Sequence, residues 1–379
     1  MKLNKRSLFS ILISLSAIVT SLTIIFFAKG YQFNFDKKEV VKTGMIHATS
    51  IPEGASIYLN NALSSATNTT ISNLNPGKYE IKIAKDGYYA WSKEILVEAE
   101  LVTQIQALLL PSAPEIKPTI QDGVVQFEIS PDNSKAAIFI SNAQKSGIWI
   151  LSFNNLPFGT GYSIKQIVKD RPDLKFSRSE ITWSNDGRQI LANPKVESAT
   201  QDPKPTIPYL LDTERLNEEP DSTDNPAEII DTWQKEAEIL SAQRKNQLSE
   251  EALKIYPSDP NPIWSPDEQA FILKKDGRFQ IYLLKENAVI NLDGLNSENI
   301  NYLVWHPDSR HLIFVENYKE DEGGKIGVVE IDGQNIMVAY EGFMSQPEFL
   351  ISQDGDKLFF STSFNRSANT FSLYYLNLR

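Results

Sequence analysis

Cysteine is absent from this chain of 379 residues, and histidine is scarce, with three residues. Without cysteine the protein has no disulfide, no thiolate nucleophile and no cysteine-based metal site. The histidines are spread over different predicted elements: His47 lies in an N-terminal module, His306 in a turn and His311 on the strand that follows it. They predict neither a metal-ligand set nor a base paired with a nucleophile.

Catalytic sequence motifs and excess positive charge are missing as well. The chain contains no His-Glu-x-x-His, no Gly-x-Ser-x-Gly, no phosphate-binding glycine loop and no EF-hand loop. Its 37 basic residues against 48 acidic ones give a net charge of -11, which repels the phosphates of a nucleic acid. We therefore expect no catalytic residue, no cofactor, no metal and no nucleic-acid partner.

One long apolar run stands near the N-terminus. Lys2, Lys5 and Arg6 precede an uncharged run from Leu8 to Ala28, which as a helix rising about 1.5 Å per residue would cross a hydrocarbon core of about 30 Å. The positive residues predict a cytoplasmic N-terminus and an extracytoplasmic body. A cleaved signal peptide is the competing interpretation, but the run is long for one and its end lacks an Ala-x-Ala site. Residues 1–43 are thus predicted to be a cytoplasmic tip, transmembrane anchor and linker.

Residues 44–112 predict a small antiparallel β-module. Tyr79, Ile81 and Ile83 alternate with polar neighbours, a period of two that buries one face of a strand. Turns are marked by residues 51–54 (IPEG) and 75–77 (NPG), because proline presets φ and glycine accepts the conformation that follows.

This module resembles the PEGA domain, through residues 52–55 (PEGA) and 73–91 (NLNPGKYEIKIAKDGYYAW). The resemblance implies an extracellular structural or binding module without a catalytic role. Two interpretations remain for Tyr88, Tyr89 and Trp91: an exposed aromatic patch for a sugar or a protein, or side chains that pack in the core and edge of the module.

From residue 113 onward the chain contains an internal repeat of strand, turn and strand. Five segments align without gaps: FEISPDNSKAAIFI, ITWSNDGRQILANP, PIWSPDEQAFILKK, LVWHPDSRHLIFVE and FLISQDGDKLFFST. Each has an aspartate at the third turn position, where a type I turn favours it. These turn residues, expected to be structural, are Asp132, Asp186, Asp267, Asp308 and Asp354.

The repeats resemble those of TolB-like and WD-repeat-like β-propellers. With a further strand after each pair, the sequence predicts a mainly β protein whose residues 113–379 form a propeller of five blades, with six as the alternative. Closure requires the terminal strands to meet. We expect residues 115–120 to pair, as an outer strand, with the last strand, SLYYLNL at 372–378.

An acidic helical insertion is predicted at about residues 215–257. Asn225 and Pro226 begin the helix, and Ile230, Trp233 and Leu240 lie on one apolar stripe. The stripe is expected either to bind a partner or to pack on the rim of the propeller.

Together these patterns predict a membrane-anchored extracytoplasmic protein of a cell envelope. It would bind or scaffold a protein or a cell-wall polysaccharide without catalysis. The alternative is a propeller enzyme acting on envelope glycan, which a central cluster of carboxylates would favour.

Overall fold

The computed structural model describes residues 5–28, 30–34, 39–154, 161–196, 207–256, 262–363 and 371–379. Within these residues the protein is mainly β, as the sequence predicts, with three helices. It divides into two compact units, Met1–Ala113 and Pro114–Leu378.

The N-terminal unit begins with helix α1 (Lys5–Ala28), which coincides with the apolar run. Its described apolar side chains are exposed, among them Phe9 at 68% and Leu12 at 63%. Across the described ranges, no helix combines the length and the apolar character needed to cross a membrane. A short hairpin of β1 (Tyr31–Asn34) and β2 (Glu39–Lys42) follows, where the sequence indicates only a polar link.

Seven strands form the β-module after this hairpin. They are β3 (Gly44–Ile51), β4 (Ser56–Leu59), β5 (Ala62–Ala66), β6 (Thr69–Leu74), β7 (Gly77–Ala84), β8 (Trp91–Val97) and β9 (Val102–Leu108). One sheet has the order β6-β3-β9 and the other β5-β4-β7-β8. Between them lie Ile81 and Ile83, both fully buried as the alternation predicts.

The prediction of a purely antiparallel module is wrong, because β3 pairs with β9 in parallel. Parallel neighbours need a long crossover instead of a tight turn, and strands β4 to β8 supply it. Alternation of apolar and polar residues reports which face of a strand is buried but carries no information on the direction of its partner.

The C-terminal unit contains five sequence repeats, numbered here in chain order. Repeat 1 contributes β10 (Ile116–Ile129), β11 (Lys135–Ile140), β12 (Gly147–Phe153) and β13 (Tyr162–Lys169). Repeat 2 contributes β14 (Leu174–Trp183), β15 (Gln189–Val196), β16 (Tyr209–Asp212) and β17 (Asp221–Ser222), followed by the helical insertion α2 (Pro226–Asn246) and α3 (Glu250–Ile255).

The remaining repeats continue the same meander. Repeat 3 contributes β18 (Ile263–Trp264), β19 (Ala270–Lys275), β20 (Arg278–Leu283) and β21 (Ala288–Asn291). Repeat 4 contributes β22 (Ile300–Trp305), β23 (His311–Lys319), β24 (Gly323–Glu330) and β25 (Met337–Gly342). Repeat 5 contributes β26 (Leu350–Ile351), β27 (Lys357–Thr362) and β28 (Phe371–Asn377). Repeats 2, 3 and 4 each form a four-stranded antiparallel sheet, and the fold is propeller-like.

The first and last repeats share one seven-stranded sheet, in the order β13-β12-β11-β10-β28-β27-β26. The first half of β10 pairs with β28, with Ile116 opposite Leu376 and Pro118 opposite Tyr374. Its second half pairs with β11. The expected pairing of residues 115–120 with the last strand is therefore confirmed, and the same strand continues into repeat 1.

Apolar clusters join neighbouring repeats. One cluster joins repeats 1 and 2 through Phe139 and Ile190, and another joins repeats 3 and 4 through Ile281 and Phe314. A third lies across the shared sheet and includes Leu373, which is fully buried.

The shared sheet predicts that damage to β28, which pairs with the central strand β10, destabilises both ends of the C-terminal unit. Leu373→Ala should lower the free energy of unfolding by about 2–5 kcal/mol, because it leaves a cavity beside β10. Amide hydrogen exchange should accelerate by a similar factor in β11 and β27. As a control, Ile336→Ala, at a side chain 44% exposed, should change stability by no more than about 0.5 kcal/mol. Faster exchange confined to β26–β28 would contradict the shared sheet.

Candidate functional site

The repeat turns are held by a serine and an aspartate. In repeat 1, Ser130 Oγ donates to Asp132 Oδ1 at 2.6 Å and accepts from the Lys135 N–H at 3.0 Å. Asp132 Oδ1 also accepts from the Ser134 N–H at 3.1 Å. The same arrangement recurs at Ser184 and Asp186, Ser265 and Asp267, and Ser352 and Asp354.

In repeat 2 these hydrogen bonds favour the ionised form of the turn aspartate. Burial opposes ionisation of Asp186, but hydrogen bonds from Ser184 Oγ and the Arg188 N–H outweigh it and lower the pKa of Asp186. A carboxylate engaged in this way stabilises its turn and has little capacity left for another ligand.

The turn of repeat 4 differs, because His306 replaces the serine and His311 follows on β23. His311 Nδ1 lies 2.7 Å from Asp308 Oδ2, and His306 Nδ1 lies 3.1 Å from Asp308 Oδ1. Both imidazoles are buried, at 3% and 2% exposed. Burial opposes ionisation of Asp308, but the neighbouring imidazoles of His306 and His311 outweigh it and hold the pKa of Asp308 well below its usual range.

This grouping was not predicted from the sequence, because His306 and His311 belong to two separate elements. The tight turn between them brings the first turn residue and the residue five positions later together, as the backbone hydrogen bond from His306 N to His311 O at 2.9 Å shows. The available signal was the spacing His-Pro-Asp-x-x-His in one copy of the repeat.

Helix α2 connects the turns of repeats 2 and 3. The Asn185 side-chain amide, in the turn of repeat 2, donates to the Trp233 carbonyl. Near the other end of the helix, Arg244 Nη2 donates to Glu268 Oε1 at 2.8 Å, in the turn of repeat 3. The Arg244 guanidinium also lies 5.8 Å from the centre of the Trp264 ring. The insertion therefore packs against its own repeats.

Helix α3 contributes to the same packing. Ser249 caps its N-terminus by accepting the Ala252 N–H at 3.1 Å. Ala252 is fully buried in a cluster with Phe271 and Tyr282 of repeat 3. Helix α3 thus fixes the C-terminal end of the insertion on the sheet of repeat 3.

A cavity of about 890 Å³ lies where helix α2 meets the repeat turns. All five repeats contribute to its wall, through Asp132, Asn185, Trp264, Trp305 and Gln353 among others. Leu240 and Arg244 line it from the helix. Burial raises the pKa of the lining residue Tyr302, so its phenol stays protonated.

The predicted binding residues of the insertion fall into two groups. Trp233 is 8% exposed and Ile230 is partly buried, so both serve the packing of the helix. Leu240 is 52% exposed and lines the cavity. The stripe therefore has a buried part and an accessible part.

The three predicted aromatic residues of the β-module do not form one exposed patch. Trp91 is 2% exposed in the core, and Tyr88 packs against that core. Tyr89 alone of the three is exposed, at 38%.

Comparison with known proteins matches residues 43–112 to the PEGA domain, which confirms the resemblance of the β-module. No match to the chain was found among curated proteins. Among solved structures, a TolB from Agrobacterium tumefaciens is 14% identical, with 68% of this chain and 83% of that chain covered and a TM-score of 0.24. TolB from Acinetobacter baumannii is 13% identical, with 79% and 59% covered and a TM-score of 0.24.

The position of Trp233 predicts the effect of removing it. Trp233→Ala should lower the free energy of unfolding of the C-terminal unit by about 3–5 kcal/mol, because a buried indole is lost. Ile239→Ala on the same helix, at a side chain 57% exposed, should change it by no more than about 0.5 kcal/mol. Calorimetry of the two variants makes the comparison, and equal melting temperatures would contradict packing of α2 on its own repeats.

Proposed function

We propose that the protein is a membrane-anchored, extracytoplasmic binding protein of a cell envelope, with five repeats that act as the blades of a propeller. Its ligand site is the cavity between helix α2 and the repeat turns. The observation that carries the proposal is the exposed Leu240 on the wall of this cavity of about 890 Å³, since accessible apolar surface in a concave site favours binding.

The engagement of the lining carboxylates favours binding over glycan hydrolysis. A glycosidase needs two acidic residues on either side of the bond, one of them available to donate a proton. Asp132 accepts hydrogen bonds from Ser130 and Ser134, and Glu268 accepts from Arg244. Both carboxylates thus have structural partners, which opposes the enzyme alternative.

The lining side chains favour a protein segment over a polysaccharide. Sugar rings stack on accessible aromatic faces, but the aromatic rings here pack against each other: Tyr302 and Phe349 lie 5.1 Å apart, and Phe349 is 1% exposed. The exposed apolar lining is aliphatic, with Leu240 at 52% and Ile263 at 40%. Amide groups of Asn133 and Gln353 beside them suit a peptide backbone.

Anchoring is supported by the sequence and exposure of α1. Lys2, Lys5 and Arg6 precede the apolar run, and side chains such as Leu22, 60% exposed, have no apolar cover within the described chain. Burial of these side chains in lipid would remove that exposed surface from water.

The proposed topology predicts protease access from outside the cell. After removal of any cell wall, protease added to intact cells should degrade residues beyond α1, because the positive residues retain the N-terminus in the cytoplasm. Immunoblotting with an antibody to the C-terminal unit measures the loss. A triple Lys2→Glu, Lys5→Glu, Arg6→Glu variant should show a smaller accessible fraction. Complete protection of the wild-type chain would contradict the topology.

Site-specific photo-crosslinking in cells tests the proposed ligand. A crosslinker at position 240 should give a discrete adduct that is removed by protease and retained after glycan hydrolysis. Leu240→Asp should weaken capture of the same partner at least about tenfold, because it places a charge against apolar surface. Leu216→Asp, at an exposed leucine between β16 and β17, 40% exposed, should leave capture unchanged. An adduct removed only by glycan hydrolysis would assign a polysaccharide instead.

A further inference from the structure

Two of the three histidines in the chain lie in the turn of repeat 4, around one carboxylate. One ligand atom from each of His306, Asp308 and His311 lies within 4.8 Å of the others. The equivalent residues in repeat 3 are Ser265 and Ala270. Both replacements by histidine therefore occur in the same turn. His306 stands at the position whose serine makes the side-chain hydrogen bonds of the other turns, whereas His311 stands at a position whose side chain takes no part in them.

The hydrogen bonds within the turn leave His306 Nδ1 in an unfavourable contact. It accepts the Asp308 N–H at 3.3 Å, so this nitrogen offers a lone pair. Asp308 Oδ1 lies 3.1 Å away and already accepts the N–H groups of Arg310 and His311, at 2.8 and 3.0 Å. Two lone pairs that face each other repel unless a cation lies between them.

The other ring nitrogen of His311 points to a second carboxylate. Within the described part of the chain, the buried His311 Nε2 has no hydrogen-bond partner, and it lies 3.8 Å from Oε1 of Glu330, which is 6% exposed. Histidines that bind a metal through one nitrogen commonly direct the other N–H to a carboxylate, which fixes the tautomer and the ring.

We propose that His306, Asp308 and His311 bind a divalent transition-metal ion of the Zn²⁺ class. Two imidazole nitrogens and a carboxylate oxygen form the mixed set that Zn²⁺ accepts in proteins. The side chain of Asp308 is 31% exposed, so the ion can enter on that side and keep a water molecule as its fourth ligand. Glu330 orients His311 from outside.

A bound ion would also stiffen the contacts between repeats. The His306 ring lies against Gly355 in the turn of repeat 5, so closely that a Cβ at this glycine would overlap it. On the other side, Ser309 Oγ accepts the Asp267 N–H of repeat 3 at 3.1 Å. The metal should therefore raise the melting temperature of the whole C-terminal unit.

Metal titration of the full chain tests the proposal. The protein is purified in detergent without a polyhistidine tag, stripped with a chelator and titrated with Zn²⁺ by calorimetry, and Co²⁺ absorption reports the ligand geometry. We expect one equivalent of Zn²⁺ to bind and to raise the melting temperature. His306→Ser and His311→Ala should each weaken binding by about 100-fold or more, and Glu330→Gln by about tenfold.

The control variants separate metal binding from folding. His306→Ser with His311→Ala converts the turn to the residues that repeat 3 carries, so the double variant should fold and lose only the response to Zn²⁺. His47→Ala removes the remaining histidine and should leave the titration unchanged.

Three outcomes would overturn the proposal. One is the absence of saturable binding at one equivalent, and another is equal binding in the double variant. The third is a cluster that only stabilises the turn: the wild type would then be more stable than the double variant, with no response of either protein to Zn²⁺ or Co²⁺.

Discussion

Strand β10 is the element on which the C-terminal unit depends. Its first half completes the sheet of repeat 5 and its second half begins the sheet of repeat 1, so one continuous backbone pairs with both β28 and β11. An open propeller would leave two sheet edges and two apolar faces in water. The hydrogen bonds between β10 and β28 join the first and last repeats, and Leu373 of β28 is buried in the apolar cluster across the same sheet.

The helical insertion lies in the chain between repeats 2 and 3. The apolar clusters described here join repeats 1 and 2, 3 and 4, and 5 and 1, and the ring pair Tyr340 and Phe360, 4.8 Å apart, joins repeats 4 and 5. Between repeats 2 and 3 the two helices provide the packing, through the Trp233 carbonyl and through Ala252. The insertion thus contributes to packing, while Leu240 on the cavity wall stays exposed and can contact a ligand.

The sequence predicted those features that depend on periodicity and turn chemistry. The five repeats could be predicted because alternating apolar residues indicate strands and Ser-x-Asp segments indicate turns. The helical insertion could be predicted from its apolar stripe. The pairing of residues 115–120 could be predicted because an unpaired sheet edge is unfavourable. The parallel pairing of β3 with β9 could not, since alternation is the same for either strand direction. The different burial of Trp233 and Leu240 in α2 could not be predicted either. Both residues fit the same helical spacing, and only tertiary packing buries the first and leaves the second exposed.

The His306 turn shows how a repeat can acquire a property without losing its fold. The turn needs a side chain at its first position that satisfies nearby donors, and the Asp308 N–H donating to His306 Nδ1 meets this need. The backbone bond from His306 N to His311 O has the same length, 2.9 Å, as its counterpart between Ser130 and Lys135. The exchange of serine for histidine therefore leaves the backbone of the turn intact while it adds an imidazole next to the Asp308 carboxylate. In a repeat protein each turn contributes only part of the free energy of unfolding. One copy of the turn can therefore diverge while the other four keep the fold stable.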